Sequence, residues 1–294
     1  MHYRESFGRR AFMVFNVVFL GVLAATCLFP MVNVLAVSFS SAAAAQAGYV
    51  TFWPVDFNVA SYTYALGRPQ FLTSMWVSIQ RIALGGFFNM ALTILAAYPL
   101  SKDNSKFRLR TAYSWFFVIT MLVSGGLIPT FMVIRSMGLI DKIWALVIPG
   151  ALPVFNLILL INFFRQVPVE MEEAAYMDGA SHWRILWNIY VPVSTPALAT
   201  LTLFVLVGHW NSWFDGLLYM NRPEHYPLQS YLQTVIVQRD TTAISMQEFK
   251  DLALLSDRTI KASQVFMGAI PILLVYPFLQ RYFVTGIVLG SVKG

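Results

Sequence analysis

The chain has 294 residues, of which 57% are hydrophobic and only 12% charged, with a formal net charge of +6. An ordinary soluble domain carries about 25% charged residues, so this composition excludes a typical soluble enzyme and points to an all-α membrane protein. On so charge-poor a chain the positive excess belongs to loop lysines and arginines beside apolar helices, not to a nucleic-acid surface, and the single cysteine, Cys27, can form no intrachain disulfide.

Taken in order, residues 1–10 form a short tail bearing Arg4, Arg9 and Arg10. A helix needs about 20 mostly apolar residues to cross a bilayer. Six segments meet that length: 11–39, 72–100, 112–134, 143–164, 196–220 and 265–289. They predict one transmembrane domain over 11–290 and a C-terminal tail at 291–294. The first segment is too long for a signal-peptide core and reads as a retained span. Its Pro30 predicts a tilt, a kink or a protrusion. Arg4, Arg9 and Arg10, with Lys102, Lys106, Arg108 and Arg110 in the second-to-third loop, put that face in the cytoplasm. An even number of spans then leaves both termini cytoplasmic.

The loop 40–71 is external and carries Phe52-Trp53-Pro54, an interfacial anchor or a partner contact. Arg81, inside the second segment, either faces the interior or snorkels to the outer surface. Ser124-Gly125-Gly126 followed by Pro129 predicts a break in the third segment, and Pro149-Gly150 with Pro153 another in the fourth. The external loop 221–261 is too long for a turn and predicts short helices of its own.

The stretch 168–192 is the only long charged, helix-forming segment between two apolar runs. Pro168 suits a helix start. Glu170, Glu172 and Glu173 crowd the first turn, where the helix dipole favours negative charge. Gly179 can take the left-handed conformation that ends a helix, and Ser181 can cap the next one. Trp183, Leu186, Trp187 and Tyr190 recur at helical spacing and predict one bulky apolar face, with Pro192 and Pro196 closing the segment. The prediction is a helix, a glycine bend and a helix outside the bilayer.

Glu173-Ala174-Ala175, Asp178-Gly179-Ala180, Ile189 and Pro192 resemble the EAA motif of membrane subunits of ATP-binding-cassette (ABC) importers, and QRYFVTGIVLGSVKG at the C-terminus resembles the carbohydrate-type permeases of that group. The resemblance covers nearly the whole chain. It implies a type I ABC importer permease fold with a cytoplasmic helix-turn-helix coupling segment, in a bacterial cytoplasmic (inner) membrane. The implied partners are a second homologous permease, an ATPase dimer that alone holds ATP and Mg, an extracytoplasmic solute-binding protein, membrane lipid and an oligosaccharide, with an alginate oligosaccharide as the specific expectation. The implied ATPase-coupling residues are Glu173, Ala174, Ala175, Asp178, Gly179, Ala180, Trp183 and Leu186.

The fifth segment is the most polar, with GHWNSWFDG over 208–216. Charged and polar groups in a span tend to face a bundle interior or water, which makes His209, Asn211 and Asp215 candidates for a translocation pathway. At 1.5 Å per residue from Pro196, His209 sits roughly 20 Å up and Asp215 about 28 Å, near interfacial water. Four-residue spacing predicts that His209 and Trp213 share the cavity side, leaving Trp210 to pack or to face lipid. The chain has no G-x-x-x-x-G-K-[ST], H-E-x-x-H or G-x-S-x-G motif, and its four histidines lack metal-ligand spacing. It therefore reads as a transport subunit, neither an enzyme nor a binder of cofactor, metal or nucleic acid. The alternative is a secondary transporter or channel subunit working without an ATPase, which needs coupling-ion carboxylates in the spans.

Overall fold

A computed structural model describes residues 7–237 and 256–291, with side chains placed up to Pro277 in the last helix. Secondary structure among the described residues is helical throughout. The chain divides into two compact units, one formed by 1–69 and 235–270, the other by 70–234 and 271–294.

In the first unit, α1 (Phe7–Ser38) runs uninterrupted through Pro30. It is apolar on all sides and exposed along most of its length, burying only Ala36, Val37 and Ser38. Two short helices follow, α2 (Ala42–Gln46) and α3 (Ala60–Leu66). Ser41 caps α2 by accepting from the Ala44 amide, and Asn33 of α1 donates to the carbonyls of Val50 and Thr51. The loop after α1 is thus pinned by side-chain bonds to backbone groups that no helix satisfies.

The second unit carries α4 (Pro69–Ser101), an apolar helix 33 residues long. The third span breaks where Ser124-Gly125-Gly126 and Pro129 predict it to. It divides into α5 (Arg110–Leu122) and α6 (Leu127–Ser136), bent by 114°. The cause is local: Gly126 has φ 84° and ψ 173°, a conformation open only to glycine. The predicted fourth span is likewise shorter. Pro149, Gly150 and Pro153 leave a single turn, α7 (Trp144–Val147), before α8 (Val154–Phe164), since each proline removes a donor and disfavours helix in the residue before it. After α8 the chain turns by 75° into α9 (Val169–Met177). α10 (His182–Ile185) continues through a π-helical turn over Leu186–Tyr190 into α11 (Val191–Val193). It bends by 82° into α12 (Thr195–Asn211), with Pro196 in the first turn. The predicted fifth span breaks at Ser212 and Trp213 before α13 (Phe214–Tyr219).

The loop predicted over 221–261 does contain a helix, α14 (Leu228–Val237), preceded by a 3-10 turn at Pro223–His225. Residues 238–255 of it lie outside the described residues, as do residues 1–6 of the N-tail and 292–294 of the C-tail. The last helix, α15 (Asp257–Ser291), starts eight residues ahead of the predicted 265. Three helices are long and apolar enough to cross a membrane, or up to six segments if each bent pair counts as one.

Two cores hold the second unit. One joins α4 (Ile94, Tyr98), α8 (Leu160, Phe164) and the helix after the glycine bend (Ile185, Tyr190). The other gathers Ile134, Leu146, Tyr219 and Met220 around the loops between helices. There Asp141, at φ 62°, accepts from the amides of Asn221 and Arg222 and pairs with His225. Burial pushes the Asp141 carboxyl up, but these bonds outweigh it and leave it below its ordinary range.

Candidate coupling knuckle and polar latch

The stretch 168–192 folds as a knuckle whose bend is built into its backbone. The Ala180 amide donates to the Ala175 carbonyl at 2.9 Å and the Gly179 amide to the Tyr176 carbonyl at 3.0 Å, the paired bonds of a Schellman motif. Gly179 supplies the positive φ this needs, at 73°, with open space where a Cβ would stand. Ser181 then caps α10, accepting from the Arg184 amide.

What sets the knuckle's position is Glu172, which its place in the first turn marks only as a charge favoured by the helix dipole. Glu172 is 3% exposed. It accepts from Lys102 Nζ at 2.9 Å, Lys106 Nζ at 3.3 Å and the Tyr190 hydroxyl at 2.8 Å. Lys102 Nζ also lies 4.1 Å and 3.9 Å from the ring centres of Tyr98 and Tyr190, inside cation–π range. Burial alone would raise the Glu172 carboxyl. The bonds from Lys102 and Tyr190 and the charges of both lysines outweigh it and hold it at about 2. The Tyr98 and Tyr176 hydroxyls both meet His182 Nδ1, tying α4, α9 and α10 together. Lys102 and Lys106 were counted above only as orientation charges. The available signal was Glu172 itself, a carboxylate placed one residue ahead of an exposed one at the foot of an apolar helix.

This anchoring leaves Glu173, Ala174, Asp178, Gly179 and Trp183 on the surface, while Ala175 and Ala180 pack against the core. Leu186 is 2% exposed and belongs to that core. The single apolar face predicted for Trp183, Leu186, Trp187 and Tyr190 therefore splits: the tryptophans are exposed, while Leu186 and Tyr190 point inward beside Ile185. The π turn over Leu186–Tyr190 adds a residue to the helical repeat and shifts the faces relative to a 3.6-residue count.

The polar stretch 208–216 forms a latch against α4. Arg81, 3% exposed, pairs with both carboxylate oxygens of Asp215 and donates to the Ser212 carbonyl. It also reaches His209 Nδ1 at 3.4 Å, while His209 Nε2 faces Asn89 Oδ1 at 3.3 Å. Asn89 Nδ2 donates to the Gly150 carbonyl. The bonds fit the tautomer in which Nδ1 accepts and Nε2 donates. Arg81 therefore does not snorkel outward but pairs with Asp215, whose carboxylate stays partly exposed. Gly85 makes room for the latch, because a Cβ there would lie 2.4 Å from His209 Nε2.

The break at Ser212 also undoes the expected helical spacing of His209 and Trp213. His209 points at α4, Trp213 is 41% exposed, Asn211 is exposed, and Trp210 is buried in an apolar recess with Ile79, Leu206 and Pro271. Among the described residues no cluster of His, Cys, Asp and Glu could hold a metal ion.

Residues 2–288 match the family described as "Binding-protein-dependent transport system inner membrane component". Protein LplC of Bacillus subtilis (strain 168) is 41% identical over 97% of this chain and 96% of its own length. The polygalacturonan/rhamnogalacturonan transport system permease protein YtcP of the same organism is 37% identical over 94% of this chain and 96% of its own. Among solved structures, a chain from the crystal structure of a bacterial ABC transporter involved in the import of the acidic polysaccharide alginate aligns with a TM-score of 0.87 at 34% identity, covering 96% of this chain and 99% of that one. The exposed EAA sequence on a fixed glycine bend, the apolar helices around it and a match over nearly every residue lead to one conclusion: this chain belongs to the inner membrane component family of binding-protein-dependent transport systems, the permease subunits of ABC importers, which carry no enzymatic activity of their own.

Proposed function

We propose that this permease imports an acidic oligosaccharide, alternating access with a second homologous permease while a separate ATPase dimer closes on the α9–Gly179–α10 knuckle. The observation that carries the reading is the division of labour between two adjacent glutamates. Glu172 is spent inside the chain, fixing the knuckle to the foot of α4, and Glu173 is left exposed for a partner. A knuckle gripped this way moves as one body with α4 and α8, so a push on it reaches the membrane segments without being absorbed by loop motion. In this reading six membrane crossings, with both termini in the cytoplasm, bring the knuckle within reach of an ATPase.

The substrate class is read from YtcP and from the alginate importer, whose names both carry acidic polysaccharides. An extracytoplasmic binding protein would deliver the sugar to external loops such as 40–71. Trp213, half-exposed at the break between α12 and α13, is the best-placed residue for sugar contact, ahead of the latched His209 and Asp215. The test is ATP hydrolysis and uptake by the reconstituted importer with alginate or oligogalacturonate fragments against neutral maltooligosaccharides. Stimulation by the acidic set alone supports the reading; stimulation by the neutral set alone ends the acidic assignment while leaving the coupling mechanism standing.

A further inference from the structure

Arg110 opens α5 and Arg165 follows the last residue of α8, and both guanidiniums are drawn to the end of α4. Arg110 Nη1 donates to the Lys102 carbonyl at 3.2 Å and Arg165 Nη2 approaches the Leu100 carbonyl at 3.5 Å. Three apolar helices thus end at one level with two arginines there. They bound a recess of about 180 Å³ completed by Thr111, Ser114, Trp115 and Val118 of α5. Unlike Lys102 and Lys106, which share Glu172, neither arginine forms an ion pair among the described residues. Arg110 Nε is buried with no hydrogen-bond partner. Burial and the charge of Arg110 lower the affinity of Arg165 for its proton, and exposed Asp103 offsets this only in part. The recess therefore has two positive charges, an unmet donor and two hydroxyls.

We propose that this recess holds the phosphate of an anionic phospholipid, with its acyl chains along the exposed face of α5. A guanidinium pair is suited to forked contact with phosphate oxygens. The recess sits where apolar helices end, which is where headgroups lie. Trp115, 58% exposed, stands beside the recess at the depth where tryptophans border a membrane, and Ile119 and Leu122 continue an apolar track away from it. The proposal rests on the membrane placement of α4, α5 and α8 but not on the sugar or the ATPase, so it can fail alone.

The experiment is native mass spectrometry of the full chain released from nanodiscs holding equal parts phosphatidylglycerol and phosphatidylcholine, repeated on the importer with its partner subunits. Wild type should retain phosphatidylglycerol preferentially in both preparations. Arg110→Gln/Arg165→Gln should lower that preference about tenfold or more, since each basic residue near an anionic surface contributes about a factor of five. Arg110→Lys/Arg165→Lys, which keeps the charge and loses the fork, should fall between. If the double glutamine variant does not fold, Arg165→Gln alone decides, because that residue is exposed and makes one long bond. An unchanged preference in the glutamine variant would overturn the proposal. So would displacement of the lipid by inorganic phosphate, which would mark a site for free anions, or loss of the lipid in the assembled importer, which would mark a subunit contact.

Discussion

Replacing Glu172 by Gln removes the one charge that neutralises Lys102, which is 8% exposed and cannot reach water without moving the knuckle. Breaking a buried pair by taking away one partner costs about 3–5 kcal/mol. The carboxyl itself gives an independent gauge: held at about 2 against an ordinary 4.5, it prefers the docked state by about 3 kcal/mol. Both point to local undocking of α9 to α11 by two to three orders of magnitude in population, with α8 left in place. Amide hydrogen exchange read by mass spectrometry on peptides spanning 169–193 should show that loss of protection. Glu173→Gln, one residue along on the exposed face, should leave the same peptides unchanged. The pH sign follows from the depressed carboxyl. Its stabilisation is complete above about pH 4.5, where the undocked side chain is also ionised, and is lost as pH falls from there toward 2. Lys102→Met/Glu172→Leu, which removes both charges and keeps apolar bulk, should recover most of the protection. Unchanged exchange in Glu172→Gln would refute the anchoring argument.

Four further outcomes follow from the same geometry. Asp215→Asn leaves Arg81 buried and half-satisfied, so the purified protein should melt several degrees lower, about 2–3 kcal/mol discounted for the partial exposure of Asp215; an unchanged melting temperature would remove the latch from the account. Gly85→Ala should act at the same place by pressing on His209, and its effect should vanish in a His209→Ala background when the same melting curve is taken. Trp210→Ala should destabilise by about 3 kcal/mol or more as a buried aromatic, whereas Trp213→Ala should spare the melting temperature and lower sugar uptake at equal expression. For topology, in a Cys27→Ser background, cysteines at the exposed positions Ser105 and Ser181 should react only with reagent on the cytoplasmic side and one at exposed Glu224 only from outside.

The sequence made the knuckle legible because its signals are local. A helix start, a left-handed glycine and an N-cap each depend on a few neighbours, and Gly179 and Ser181 sit as their residue types require. The long apolar helices were legible for the same reason, from α1 and α4 within a few residues of their ends. The breaks at Gly126 and Pro149-Gly150 were visible as glycine and proline, but the size of the bends, 114° at Gly126 and 75° between α8 and α9, is set by packing the sequence does not display. The polar latch was missed for a different reason. Arg81 and Asp215 lie 134 positions apart, and each was weighed alone, without the other as a partner. Opposite charges at similar depth in two spans should instead be read as partners, since the alternative leaves both unpaired away from water. Leu186 and Trp187 are adjacent in sequence, so a regular helix already sets them about 100° apart; Trp183 lines up with Trp187 and Leu186 with Tyr190 at four-residue spacing, two stripes that the reading of one apolar face merged.

The central claim, that this knuckle is where the ATPase grips the permease, is tested most directly by cross-linking. Met177 is 89% exposed at the tip of α9. In a Cys27→Ser background, a cysteine at Met177 should form a nucleotide-dependent disulfide with a cysteine in the surface groove of the ATPase in the assembled importer, while a cysteine at Glu224 should form none. A complex that hydrolyses ATP and imports sugar without any cross-link from Met177, or with one from Glu224, would contradict it.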